Sequence, residues 1–306
     1  MGKVPHQLLL TIFPVWASKD NFLSNILPLK PGMFDCVIID EASFCRANSA
    51  IPALYRAKHA VIIGDPMQLR PIYARLSKRL KKTALTHSGL TEVVATEFDF
   101  QEKTIFDIAS SKVRTDSWFL LDEHFRSPEP IIGFSKKYIY NDNLRIMTNR
   151  PTNGPSESIE ISYVNGVEDQ YTKVNHDEVK KVIKIIQLEM LKDPDCTIAV
   201  VSPYKEQRNY IEKEIVKKFT QHEIDKHELV SRTVYQMQGD ERDIIILTTC
   251  FDKDVHPGRL RYFQGTNENE ASRGVFNVAV TRARRKQHIV TSVTVNDLPS
   301  GFFKQY

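Results

Sequence analysis

Residues 34–71 read FDCVIIDEASFCRANSAIPALYRAKHAVIIGDPMQLRP. They contain two short apolar runs, Cys36-Val37-Ile38-Ile39 and Ala60-Val61-Ile62-Ile63. Each stops at acid, Asp40-Glu41 after the first and Gly64-Asp65 after the second. Uninterrupted β-branched runs of this length suit strands buried on both faces, as in a parallel sheet with helices on either side. In open α/β sheets ligands bind beyond the carboxyl ends of the strands, so both acidic tips belong to one ligand-facing edge. In one known arrangement of this kind, the aspartate holds hydrated Mg²⁺ on nucleotide phosphates and the neighbouring acid orients and deprotonates a water. A strand that merely ends in a solvated acidic turn has the same local pattern. The second strand adds Gln68, in a loop bracketed by Pro66 and Pro71. An amide beside the first acidic tip could touch both the attacking water and a γ-phosphate.

The chain has 306 residues, enough for about two domains with ordinary cores. Hydrophobic residues make up 41% and charged residues 26%, the balance of a soluble globular protein. No apolar stretch approaches the roughly 20 residues needed to span a bilayer, so no membrane partner is expected. The opening MGKVPHQLLLTIFPVW lacks a small-residue cleavage site and carries Pro14 in its apolar part, unlike a secretory signal. Cys36, Cys45, Cys196 and Cys250 form no CxxC pair. Buried free thiols in a reducing compartment, cytoplasmic or nuclear, are expected, and no zinc site. The net charge of +4 permits polyanion binding without requiring it.

Along the chain, strands are expected at 7–12, 117–121, 159–164, 197–201, 232–235, 244–248 and 288–293. Helices are expected within 16–27, at 49–55 and 129–140, and from 204 to 219. Asn175 and Glu178 read as a capping box opening a helix whose Val179, Val182, Ile183, Ile186 and Met190 share one face. Ser202-Pro203 reads as an N-cap with proline at the first helical position. The basic stretch 70–82 could track a phosphate backbone, or form a solvated helix on Ile72, Leu76 and Leu80. Residues 86–103 suit a polar connection between domains spanning 1–100 and 101–306. Loops are expected at 148–156 and 252–269. Trp16 could stack a base, although packing is the commoner use of an indole.

Taken in order, the polar clusters resemble the motifs of superfamily 1 helicases. Asp40-Glu41-Ala42-Ser43 is similar to motif II and GDPMQLRP to motif III. Asp122-Glu123-His124-Phe125-Arg126 is similar to motif IV, Pro203-Tyr204-Lys205-Glu206-Gln207 to a Pro-Tyr-x-x-Gln element, Gln238-Gly239-Asp240-Glu241 to motif V, and FNVAVTRARRK to motif VI. The nearest resemblance is to the 1B branch containing the nonsense-mediated-decay RNA helicase and the Okazaki-fragment nuclease–helicase. It runs from about residue 8 to residue 293.

The resemblance implies an α/β fold of tandem RecA-like, doubly wound parallel sheets, the first domain incomplete. It implies ATP and Mg²⁺ as cofactors and single-stranded nucleic acid, DNA or RNA, as partner, with movement 5′ to 3′. Asp40 would hold the metal and Glu41 would activate water, with Gln68 beside it. Arg126 and Arg282 would reach the γ-phosphate as arginine fingers, a task suited to a planar, permanently charged guanidinium. Phe125 stands where the family stacks a tyrosine on adenine. Gly239 and Glu241 would meet the nucleotide, Glu241 at the ribose. Thr11, Pro203, Tyr204 and Gln238 would lie near the nucleic-acid strand.

One departure is large: GxxxxGK[ST] occurs nowhere in the 306 residues. The expectation is therefore the carboxyl-terminal part of a helicase, inactive as an ATPase until an amino-terminal P-loop-bearing segment or chain is supplied. The alternative is an ATP-independent, helicase-derived nucleic-acid-binding or regulatory module. Glu41, Gln68, Arg126 and Arg282 favour the first, because a pure binder has no chemical use for them. A nuclease is not supported: Asp99, Asp107, Asp116 and Asp122 have no nuclease spacing.

Overall fold

A computed structural model describes residues 6–72, 77–99, 101–148, 158–253 and 257–306. The chain divides into two compact units. The first comprises Met1–Pro66 and Arg70–Phe119, the second Met67–Leu69 and Leu120–Tyr306. The division falls after Phe119, not at the expected 100/101. The helix Ile105–Lys112 is the reason, because Ile105 is buried against Ala42 and Ala50 in the small core of the first unit.

The first unit is built on strands β1 (Phe34–Ile39) and β2 (Ala57–Ile62), paired in parallel with Val37 opposite Ala60 and Ile39 opposite Ile62. The helix Ala47–Tyr55 joins them. Arg56, at its carboxyl end, is buried, and its guanidinium donates to the carbonyls of Leu27 (2.8 Å), Pro28 (3.0 Å) and Pro52 (2.7 Å). A buried cation is thus satisfied by backbone oxygens, among them a carbonyl of the helix's own last turn.

Several expectations change here. The two strands are not buried on both faces: Ile38 is 65% exposed and Val61 47%. Cys36 is exposed as well. The helices found against this pair leave part of it open to solvent. Residues His6–Ile12 form a helix, not a strand. The run Leu8-Leu9-Leu10 is not β-branched and is a good helix former, and it lacks the period-two alternation of a half-buried strand. Residues 118–121 form no strand, and follow a 3₁₀ turn at Thr115–Ser117. The proposed connection contains a helix, Glu92–Glu97, capped by the Thr91 hydroxyl. Of the basic stretch, 73–76 lies outside the described residues. The helix Lys78–Ser88 begins at the Ser77 cap and ends at Gly89, whose φ of +67° suits glycine.

The second unit is a five-stranded, wholly parallel sheet ordered β5-β9-β8-β6-β7. The strands are β5 (Ile159–Tyr163), β6 (Ile198–Ser202), β7 (Val230–Thr233), β8 (Arg242–Thr248) and β9 (Ala283–Thr291). Successive residues point to opposite faces. Ile198, Val200, Ile244, Ile246 and Val290 pack with the helices His176–Lys192 and Lys205–Lys218. Ala199, Val201, Ile245, Leu247 and Ile289 pack with Glu129–Tyr138 and Glu270–Val280. Each buried Val, Leu or Ile side chain among these contributes about 1.5–3 kcal/mol. This is the doubly wound pattern. β3 (Glu123–His124) and β4 (Arg145–Ile146) form a separate short parallel pair.

Local corrections follow from tertiary partners. Asn175 caps its helix as expected, accepting from Glu178 N at 3.1 Å, but Glu178 does not complete the box. Asn175 N donates instead to Gln207 Oε1 at 2.9 Å. Glu178 turns inward and is fully buried, accepting from Thr248 Oγ1 (2.6 Å), Cys250 N (2.8 Å) and Ser292 Oγ (3.2 Å). Burial nevertheless pushes its carboxyl up to about 7. Helix Lys205–Lys218 starts after Pro203, with Tyr204 as N-cap. β7 lies two residues before the expected strand at 232–235, and a 3₁₀ turn, Val234–Met237, follows it. The polar segment after Asp252 holds the helix Pro257–Phe263. The expected loop at 148–156 lies outside the described residues except for Thr148. All four cysteines are free.

Candidate functional site

In the first unit, the ends of β1 and β2 are laced together. Ile63 N donates to Ile39 O (2.9 Å), and Ala42 N to Ile63 O (2.8 Å). Between them Asp40 Oδ1 accepts from Glu41 N at 2.8 Å, and Glu41 adopts a φ of +50°, uncommon for a residue with a side chain. Gly64 is required by space, since a Cβ there would meet Ser43 Oγ at 2.6 Å and Phe106 Cδ2 at 2.7 Å. Asp40 and Glu41 are both exposed at the tip of β1. An exposed carboxylate of this kind could hold Mg²⁺ together with other oxygen ligands. Arg70, next to the glutamine loop, is fixed by two bonds to Asp107, at 3.0 and 3.2 Å.

The second unit gathers the remaining polar residues at the amino-terminal ends of β8 and β9. These strands are neighbours with Arg242 opposite Ala283, so the residues just before them, Glu241 and Arg282, come side by side. Glu241 is ion-paired with Arg126 Nε. Arg126 Nη1 also reaches Thr281 O at 3.5 Å. Arg282 is 2% exposed and donates to Val278 O (3.2 Å), Thr281 Oγ1 (3.1 Å) and Gln68 Oε1 (3.2 Å). Gln68 is thus part of the second unit, within Met67–Leu69, while the acidic tip of β1 belongs to the first. Gly239, at φ +75° with open space around its α-carbon, makes the turn that delivers Glu241. The Phe125 ring is 64% exposed, open to stacking.

Three further residues belong to this cluster, none of them assigned a role from the sequence. Arg284 lies 3.2 Å from Asp243 Oδ1 and 3.7 Å from Glu241 Oε1, and donates to Thr197 Oγ1 at 3.1 Å. Burial opposes ionisation of Asp243, yet hydrogen bonds from Thr197 and the charges of Arg284 and Arg285 hold its carboxyl below the usual range. His124 Nε2 accepts from Ser127 N at 2.9 Å. Burial, then the charges of Arg126 and Arg282, pull His124 down to about 4, so the ring is neutral. His124 lies within the motif IV stretch and Arg284 within the motif VI stretch, but the stretches alone give neither a role, and nothing marks Asp243.

The expected nucleic-acid residues are dispersed. Pro203 is buried at the carboxyl end of β6, the edge opposite to Glu241 and Arg282. The Tyr204 hydroxyl donates to Arg259 O at 2.9 Å, the Arg259 guanidinium lies 3.8 Å from the ring centroid, and burial raises the phenol. Tyr204 is therefore engaged in packing. Gln238 sits in the turn before Gly239 and is half-buried, and Thr11 is exposed on the helix His6–Ile12. Among the described residues, no cluster of His, Cys, Asp and Glu could hold a metal without further ligands, and no helix is long and apolar enough to cross a membrane.

Comparison with known families gives two matches, each to an AAA domain, over residues 101–294 and 18–75. The chain belongs to the superfamily 1 helicases. Relatives within this family include an uncharacterised ATP-dependent helicase, MG140, of Mycoplasma genitalium, 28% identical over 301 residues, which cover 92% of this chain and 25% of that protein. The probable helicase senataxin of Homo sapiens is 27% identical over 268 residues, 82% of this chain and 9% of that one. Helicase SEN1 of Saccharomyces cerevisiae is 26% identical, over 82% and 11%. The chain therefore spans a quarter or less of these relatives. A solved structure to which it is similar is that of the PRRSV helicase (TM-score 0.39, 15% identity, 83% of this chain and 34% of that).

Proposed function

We propose that this helicase-family chain forms the nucleotide-responsive part of an ATP-driven motor on single-stranded nucleic acid. The observation that carries the reading is the convergence of Gln68, Arg126, Arg282 and Glu241 in the second unit, four polar residues from four motifs. Arg126 and Arg282 are the arginines for a phosphoryl group that gains charge as it transfers. Arg126 rests on Glu241, whose carboxylate a phosphate would have to displace. Phe125 offers a ring to adenine, Gly239 and Glu241 serve the nucleoside, and Glu41 accepts a proton from water. A magnesium ion held at Asp40 would offset phosphate charge.

A phosphate cradle needs a row of backbone N–H groups and a lysine. No GxxxxGK[ST] occurs in this sequence, so turnover depends on a P-loop supplied by another segment or chain. The test is steady-state phosphate release with single-stranded DNA and RNA, before and after a P-loop-bearing segment is added. Strand-stimulated release only after addition, lost in Glu41→Gln, is expected. Strand-stimulated release by the chain alone, abolished by Glu41→Gln, would overturn the dependence on a supplied P-loop. No release under any condition would leave only a binding module.

A further inference from the structure

The helix Glu270–Val280 does more than present Arg282. Asn277 is fully buried, and both hydrogens of its amide are used: Nδ2 donates to Met67 O at 2.9 Å and to the Tyr140 hydroxyl at 2.9 Å. Its Oδ1 has no hydrogen-bond partner among the described residues. A carbonyl only accepts, so the amide must face Met67 with its nitrogen, and the side chain is kept as a donor. One turn earlier, Gly274 lies against the next carbonyl. A Cβ there would stand 2.4 Å from Gln68 O and 2.9 Å from its carbon. Only glycine allows a backbone so close. Leu69, 1% exposed, then enters the core shared with Val275 and Phe276.

Positions 274, 277, 278 and 281 recur at helical spacing and so lie on one face. Gly274 and Asn277 hold the backbone of residues 67 and 68. Val278 O and Thr281 Oγ1 accept from the Arg282 guanidinium, whose Nη2 reaches Gln68 Oε1 at 3.2 Å. One helical face thus fixes both members of the glutamine–arginine pair.

We infer that Asn277 is a positioning residue: with Gly274 it seats Met67–Leu69 so that Gln68 stays on Arg282. The seating stands on the contacts alone, whereas its effect on turnover rests on the function proposed above.

Native-state proteolysis with thermolysin, which cuts before large apolar residues, reads the seat at the Gln68–Leu69 bond. Cleavage tracks the population in which the segment has left its place. Asn277→Ala is expected to speed that cut about tenfold, the scale of one buried hydrogen bond. Gly274→Ala should speed it at least as much, and Tyr140→Phe, which spares the bond to Met67, should not. Unchanged cleavage in both alanine variants would overturn the seat. An equal rise within β8 would overturn it too, because Asn277 would then merely support the fold.

In ATP turnover with a P-loop-bearing segment supplied, Asn277→Ala should lower kcat and leave KM for ATP unchanged. It should add nothing to Gln68→Ala, since both act through one pair. Additive losses would remove the positioning role. If the wild type shows no turnover, the function proposed above fails, and the thermolysin arm still decides the seat.

Discussion

Gln68 Oε1 accepts a hydrogen bond from Arg282 Nη2 at 3.2 Å, joining residues 214 positions apart. The contact puts a glutamine from the loop after β2 in the same unit as the arginine before β9. A phosphate that drew on the Arg282 guanidinium would compete with this bond, because the same donor group would serve both.

The first expected outcome concerns the two arginines. In a P-loop-supplied preparation, Arg126→Ala and Arg282→Ala should each slow ATP turnover by up to about 10³–10⁵-fold if they act as arginine fingers. Single-strand affinity should change little. Phosphate release measured beside fluorescence anisotropy checks both, and wild-type turnover in either variant would remove that residue from the catalytic set.

Gly64→Ala should destabilise the first unit by about 1–3 kcal/mol, the usual cost of overpacking. The new methyl group would meet Ser43 and Phe106 inside 3 Å. Chemical denaturation followed by a probe in that unit gives the number. A neutral result would mean that the loop after β2 relaxes freely.

Stability should fall on acidification through His124. Its folded value, about 4, lies below the ordinary 6.5, so between these pH values the unfolded chain binds a proton that the native ring does not. The contribution is complete above pH 6.5, declines as the pH falls, and levels off below about 4. In His124→Gln the denaturation midpoint should be flatter over this window. An unaltered slope would show that the ring is protonated in the native state.

Binding of single strands should be weak and steeply salt-dependent. A net charge of +4 supplies only modest long-range attraction, and contacts to phosphates are screened beyond about 8 Å at physiological ionic strength. Anisotropy titrations at two salt concentrations measure the slope. Tight, salt-insensitive binding to duplex would be the contrary result.

The sequence was most legible where a residue's neighbours repeat with a period. Val179, Val182, Ile183 and Ile186 announced the helix His176–Lys192, and the runs at 197–201 and 244–248 announced β6 and β8. Arg126, Glu241, Gln68 and Arg282 could be named from motif resemblance, and all four share the second unit's cluster. What stayed hidden was set by distant partners. Asn175 N is satisfied by Gln207, 32 positions away, and not by the adjacent Glu178. β3 and β4 are two-residue strands, too short to show any alternation. Asp243 and Asn277 look like ordinary polar residues until the sheet brings Arg284 to one and Met67 to the other.

Glu178 has a thermochemical consequence. A carboxyl buried among hydroxyl groups and titrating at about 7 keeps its proton in the native protein at pH values where an unfolded glutamate has lost it. Between about pH 4.5 and 7 this carboxyl therefore releases a proton on unfolding, opposite in sign to the uptake at His124. The heat absorbed will then depend on which buffer receives it. The gap between scans in phosphate and in Tris at one pH should change, from the wild type to Glu178→Gln, by the difference in the buffers' ionisation enthalpies multiplied by the fraction of a proton this carboxyl releases.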